Sequence, residues 1–433
     1  MTKLFAKFIY STTDFAHKVL SKFVNEKFLA EWKPIHLCWW FIKHDLVIPQ
    51  YFIGVGAPVS YWLEPGGDAD FGIGLWTGTT GTAPTVVQDF VHGFHQYSIQ
   101  PSTSASGAVY RTGAFVTSSP WNDCSVWVYF NALPSSGVTQ LFGADKTVGG
   151  THVWAVQITS GGVLQFIDAA SGTQIGSNGA TLTTGVWYRI SVIAGIGNTS
   201  GTGNLLTVYV NGVSSITASA FAITNIGAGV FWLGTVNASN TCDVRYSDIW
   251  TYTGGASNVA DPGNLWVTAK RPVSNGTTNG FTTQIGSGGS GYGSGHAPQV
   301  NERPASTTNG WSMVGAGSAV TEEYTIEGQS VGDVSIVGAT QLFVSGWIYA
   351  SSLAGETANT IINNVATGTA ALTSTPTFFT LIATATATYP VGGTDIGIKT
   401  TTALTTVSLY ECGILIGFVP SATTVNSNFL AFM

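Results

Sequence analysis

Charge is the scarcest commodity in this chain: only 9% of its 433 residues are Asp, Glu, Lys or Arg, and the balance is acidic, at −7. An acidic balance excludes a phosphate-binding surface over most of the molecule, so no nucleic-acid partner is expected. Cysteine is sparse too. Its four cysteines, Cys38, Cys124, Cys242 and Cys412, lie far apart with no CxxC pair, which excludes a disulfide scaffold and leaves buried reduced thiols. No apolar run approaches the roughly twenty residues that cross a bilayer, so no transmembrane segment is expected.

What the chain has in quantity is glycine, 54 residues, with Thr, Ser and aromatics, a composition of β-rich extracellular or particle-bound proteins. Between Asn122 and Tyr252 short apolar strands alternate with glycine turns. They are 125–130, 154–158, 163–167, 187–192, 205–210, 231–233 and 246–250. In 187–192, Tyr188, Ile190 and Val192 share one face and Arg189 and Ser191 the other, which predicts a sheet with one buried and one solvated side. Asn211-Gly212 predicts a type I′ hairpin, because both residues tolerate the positive φ that turn demands. Strands are also predicted within 71–76, 86–94 and 107–116, and in a second group at 341–349, 378–382, 395–398 and 407–416.

The order of Gly185–Val192, Leu206–Val213, Phe231–Gly234 and Tyr246–Trp250 resembles the laminin G-like, concanavalin-type jelly roll. Beyond it, Leu265–Gly276 and Val300–Pro304 resemble elements of tailed bacteriophage virion proteins that carry this jelly roll. The expected fold class is therefore mainly β: a jelly-roll sandwich, a second C-terminal β-sandwich and an N-terminal helical or extended arm. The boundaries read as an arm over 1–65, the jelly roll with a lead-in over 66–255, a Gly/Ser/Thr-rich connecting segment over 256–335, and the second sandwich over 336–433. The resemblance implies a peripheral structural protein of the virion, assembled in the bacterial host cytoplasm. Its expected partners are other virion proteins, further copies of itself as a homo-oligomer, and a host-surface glycan. A purely reinforcing protein and a secreted carbohydrate-binding protein are the alternatives.

The arm holds seven of the chain's 15 basic residues, interleaved with aromatics. Phe8, Phe15, Val19 and Phe23 fall at helical spacing, and Trp39 and Trp40 follow; together they read as the anchor to the particle.

Motifs that carry chemistry are few. The Glu-x-Asp-x-x-Glu strand of concanavalin-type glycoside hydrolases is missing, as are GxSxG and HExxH, so the chain is expected not to be an enzyme and to need no cofactor. Asp243 and Asp248 are five apart, on opposite faces of a regular strand. Glu322, Glu323 and Glu327 read as a solvated acidic turn, and His92 and His95, without a third ligand, as structural. The glycine-rich run 286–295 lacks the ending of a phosphate loop and reads as a surface loop. For carbohydrate contact the candidates are Trp121, Trp154 and Trp232, near strand ends of the jelly roll. Asp145 and Asp243 are the candidate oxygen ligands for a calcium ion.

Overall fold

Asn211 and Gly212 both adopt positive φ, 51° and 80°, and turn the Leu205–Val210 strand back into Val213–Ser219, the tight hairpin its sequence predicts. The computed structural model describes residues 60–420 apart from 66–73, 91, 94, 96, 236–241, 254–260, 262, 289–290, 292, 303–305, 316, 329–335, 337–339, 363–364, 382–394 and 402–404. The anchor candidates Phe8, Phe15, Val19, Phe23, Trp39 and Trp40, and Cys38, lie outside the described residues. Among the described residues the fold is mainly β, with one 3-10 turn at Ala297–Gln299 and no α-helix.

Two antiparallel sheets make the first sandwich. One has eight strands: Val213–Ser219, Leu205–Val210, Trp187–Gly195, Trp121–Ala132, Asp243–Thr253, Ser98–Gln100 and Thr85–Val87 in spatial order, with Ser60–Glu64 added to Asp243–Thr253. The other has seven: Gln174–Ile175, Leu164–Asp168, His152–Thr159, Val138–Asp145, Val230–Thr235, Gly107–Thr112 and Gly78–Gly81. Alternate residues of both sheets, among them Val126, Val128, Phe142, Trp154, Ile190, Phe231 and Tyr246, close on one core. Cys124 and Cys242 are buried as free thiols, and desolvation pushes the Cys242 thiol up to about 12.

The second sandwich pairs Thr283–Ile285, Gly310–Met313, Val407–Val419, Thr340–Ser352 and Thr377–Leu381 in one sheet, with Trp266–Lys270 added to Val407–Val419. Its other sheet is Pro272–Asn279, Thr321–Ile326, Asp395–Thr400, Thr357–Ile362 and Val365–Ala371. Five of these strands fall inside 256–335, so reading that stretch as a connecting segment is corrected. Thr- and Asn-rich strands without strong hydrophobic alternation look like loop text, yet the ladder satisfies their backbone equally well. The acidic turn is corrected for the same reason. Glu322, Glu323 and Glu327 are 0%, 6% and 2% exposed, and each carboxylate has a partner: Phe281 N–H, the Thr277 hydroxyl and Arg271 N–H, respectively.

The strand Asp243–Thr253 serves both cores. Its register shifts between Ser247 and Trp250, and Asp248 at φ 46° lies in the shift. Tyr246 and Ile249 thus pack in the first core, while Trp250 and Tyr252 join the core of the second sandwich. The bulge aims Asp248 at four groups: His92 Nδ1 at 2.6 Å, His95 Nε2 at 2.8 Å, the Val267 N–H at 2.6 Å and the Ser247 hydroxyl at 3.1 Å. The ring of His92 stacks on Trp127, centroids 4.0 Å apart, and the edge of Trp266 meets it from the second sandwich. Arg189 and Ser191 are accordingly buried, 3% and 0% exposed, where the sequence predicts a solvated face. Asp261 pairs with Arg189, whose guanidinium also donates to Ser191.

Candidate functional site

The outward face of the seven-stranded sheet carries a hollow, and its middle row explains why. Phe231 and Leu233 point into the core, so Trp232 between them points out. Across the ladder its neighbours are Tyr110 on one side and Gly143 on the other, followed by Ala155 and Ile167. Gly143 is required here. A Cβ at that position would sit 2.5 Å from Trp232 Cζ2 and 2.4 Å from the Trp154 carbonyl oxygen. The indole therefore lies against the glycine and packs with Ala155 and Ile167, a small apolar cluster outside the main core.

Polar groups flank this row. Asp145 Oδ1 accepts from the indole Nε1–H of Trp232 at 3.0 Å and from His152 Nδ1 at 2.9 Å. Asp145 and His152 pair across the hairpin between Val138–Asp145 and His152–Thr159, where the register shifts at Ala144/Asp145. Burial pushes the Asp145 carboxyl above its ordinary value, against the opposing bonds from His152 and Trp232. His152 is half exposed, 49% for its side chain. On the other side Gln140 and Gln157 pair across the ladder, and the amides of Gln157, Gln165, Gln174 and Asn178 are hydrogen-bonded in series. Tyr110, Gln140, Asp145, His152 and Trp232 line a cavity of about 320 Å³. Trp232 is only 4% exposed and forms its floor; the half-buried Tyr110 presents the more accessible ring.

Of the carbohydrate candidates, Trp232 alone lies here. Trp154 is corrected: it is fully buried in the core, stacked on Phe166 and tilted against Phe115, and no ligand can reach it. Trp121 lies over Gly195 on the eight-stranded sheet, in a separate hollow with Ile193 and Leu205. The calcium candidates do not converge. Asp145 is committed to His152 and Trp232, while Asp243 accepts from Asn131, Gln100 and Arg245. Among the described residues no three His, Cys, Asp or Glu groups gather to hold a metal ion. Tyr110, Gln140 and His152 are absent from the sequence-based candidates, since only cross-strand register brings them beside Trp232.

What the arrangement offers is two aromatic rings, a rank of amides and a carboxylate-backed imidazole, the chemistry that orients a polyhydroxylated ligand and the kind of group that transfers a proton. No family model matches the sequence, and a search of curated proteins finds no match. Solved structures do resemble it in fold. The endo-β-1,4-glucuronan lyase of the fungus Trichoderma reesei aligns at TM-score 0.34 and 10% identity, over 45% of this chain and 95% of that one. The alginate lyase of Aplysia kurodai aligns at 0.34 and 12%, over 44% and 98%. Domain 4 of an extracellular arabinanase from Geobacillus stearothermophilus, in complex with arabinotriose, aligns at 0.31 and 15%, over 46% and 96%. The expectation that this chain is not an enzyme is corrected on this finding. Two of these structures are polysaccharide lyases, and the lack of one hydrolase motif excludes no other reaction. At these scores the likeness is one of fold and assigns no reaction.

Proposed function

We propose that this protein recognises carbohydrate through the Tyr110–Trp232–Asp145–His152 cavity and does so as a peripheral component of a bacteriophage particle. The observation that carries the first half is the row in which an indole lies close against Gly143 with its N–H fixed by Asp145. Sugars present an apolar C–H face and a rim of hydroxyls. An aromatic ring meets the first, and a carboxylate, an imidazole and primary amides meet the second. The surrounding β-ladder holds these groups on rigid backbone, which limits the ordering cost of binding. The particle half is supported by the resemblance of Leu265–Gly276 and Val300–Pro304 to virion-protein elements. A cavity this small engages one or two sugar units, so repetition on a particle would raise weak affinity to useful avidity.

A glycan array probed with the full chain, displayed multivalently, tests the recognition. Binding to a defined set of glycans, lost in Trp232→Ala but retained in Trp121→Ala, is the expected result; no signal from folded wild type on any glycan sinks it. Mass spectrometry of purified particles from the source host tests the location, and absence of the chain from them refutes that half.

A further inference from the structure

Beside the cavity lies a second hollow of about 490 Å³, and Val148 and Val230 line both. Its wall includes Thr112, Thr117, Thr147 and Lys146, the last at the start of the hairpin turn that leads from Asp145 to His152. We infer that the two hollows form one groove for an acidic oligosaccharide, in which Lys146 receives the carboxylate or sulfate of the unit next to the one held over Tyr110 and Trp232. The inference rests on the carbohydrate reading above and adds the class of glycan to it.

Charge accounting carries it. Among the described cations, Arg189 is committed to Asp261, and Arg245 to Asp89 and Asp243. Arg111 donates to the carbonyls of Leu75 and Thr380, and Lys270 and Arg271 are fully buried. Lys399 is exposed, but on the Asp395–Thr400 strand of the second sandwich. Lys146 is thus the one described cation that is exposed, free of a carboxylate within ion-pair distance, and on the wall of this groove. A chain so poor in charge that places a solvated lysine there gives this part of its groove an unpaired positive charge. The neighbouring carboxylate, Asp145, is buried, turned toward Trp232 and His152, and forms no ion pair with Lys146. His152, half exposed on the same hairpin, places a second nitrogen-bearing group on the wall of the first hollow. A lysine ammonium meets an anionic group as a point charge through three donors, and needs no preset geometry to do so.

The test is direct binding of the full chain to tetrasaccharides matched in linkage, one built of uronate units and one of the corresponding neutral sugar, at low and high salt. Wild type is expected to bind the acidic tetramer at least about ten-fold tighter, the scale of one charge-assisted hydrogen bond, and to lose that margin in high salt. Lys146→Gln should bring the ratio of the two affinities to about one, and Lys146→Arg should keep it. Equal affinities in wild type, or an unchanged ratio in Lys146→Gln, overturn the acidic assignment while leaving carbohydrate recognition standing. Binding to neither tetramer nor any longer oligomer by folded protein overturns both.

Discussion

Trp232 Nε1–H and His152 Nδ1 end on the same atom, Oδ1 of Asp145, at 3.0 and 2.9 Å, so the ring that floors the cavity and the imidazole at its edge are fixed by one carboxylate. Asp145→Ala would strip the nearly buried indole N–H of its acceptor and release His152. An unsatisfied buried donor costs about 1–3 kcal/mol, and Asp145→Asn, which keeps a carbonyl oxygen in place, should recover most of it. Urea midpoints of the two variants measure this, and equal losses would show that the carboxylate's charge, not its acceptor atom, matters.

Gly143→Ala probes the floor itself. The added methyl meets the Trp154 carbonyl and Trp232 Cζ2 well inside contact distance, and the carbonyl belongs to the neighbouring strand and cannot retreat. The indole has to lift, at a cost of about 1–3 kcal/mol for overpacking. Carbohydrate affinity should fall with it. A change in near-ultraviolet circular dichroism together with lost binding is the expected pair of readouts; full binding would mean that the Trp232 ring is not what the ligand meets.

Much of this fold was legible in the residues. The hairpin at Asn211-Gly212 and the strands at 341–349 and 407–416 follow from turn chemistry and β-branched runs, and all are present. The inward aim of Trp154 was legible too, since it shares parity with Val156 and Ile158, which also face the core. The site was legible only in fragments. Asp145 and Trp232 stand 87 positions apart, and nothing in either sequence neighbourhood states that Val230–Thr235 pairs with Val138–Asp145. Two bulges add to this: the shifts at Ala144/Asp145 and after Ser247 break strict alternation and re-aim Asp145 and Asp248. The strands of 272–326 were hidden because Gly, Asn and Thr are turn residues by composition and ladder residues only by pairing.

Asp248 predicts how stability responds to acid. Burial alone would raise its carboxyl, but His95 and His92 outweigh burial and hold it at about 2, below its ordinary 3.8. A carboxyl lowered in the folded state contributes stability that is fully present above the ordinary value and is lost as pH falls through the folded one, here between about 4 and 2. A shift of this size corresponds to about 2 kcal/mol. Asp248→Asn should therefore lose stability at pH 7 and show a flatter profile than wild type over that acid window, while the two proteins converge toward pH 2. Parallel urea-denaturation profiles, with the same gap at every pH, would mean that the bonds to His92 and His95 contribute nothing through charge.

Arg189 and Asp261 give the last expectation, because this pair ties the Trp187–Gly195 strand to the segment that enters the second sandwich. The guanidinium meets the carboxylate with both arms, Nη1 to Oδ1 and Nη2 to Oδ2, while Nη1 also donates to Ser191 Oγ at 2.7 Å. With Arg189 3% exposed, removing Asp261 leaves a buried cation without its counter-charge, which costs about 3–5 kcal/mol. Asp261→Ala should be the most damaging single change, and Arg189→Met should cost less, since it removes the buried charge together with its arm. Arg189→Lys cannot span two oxygens and should fall between them. Limited proteolysis near residue 261 reads the same order locally: cleavage should speed up most in Asp261→Ala. If Arg189→Met proved as unstable as Asp261→Ala, the pair would be contributing attraction well beyond the cost of burying its charges.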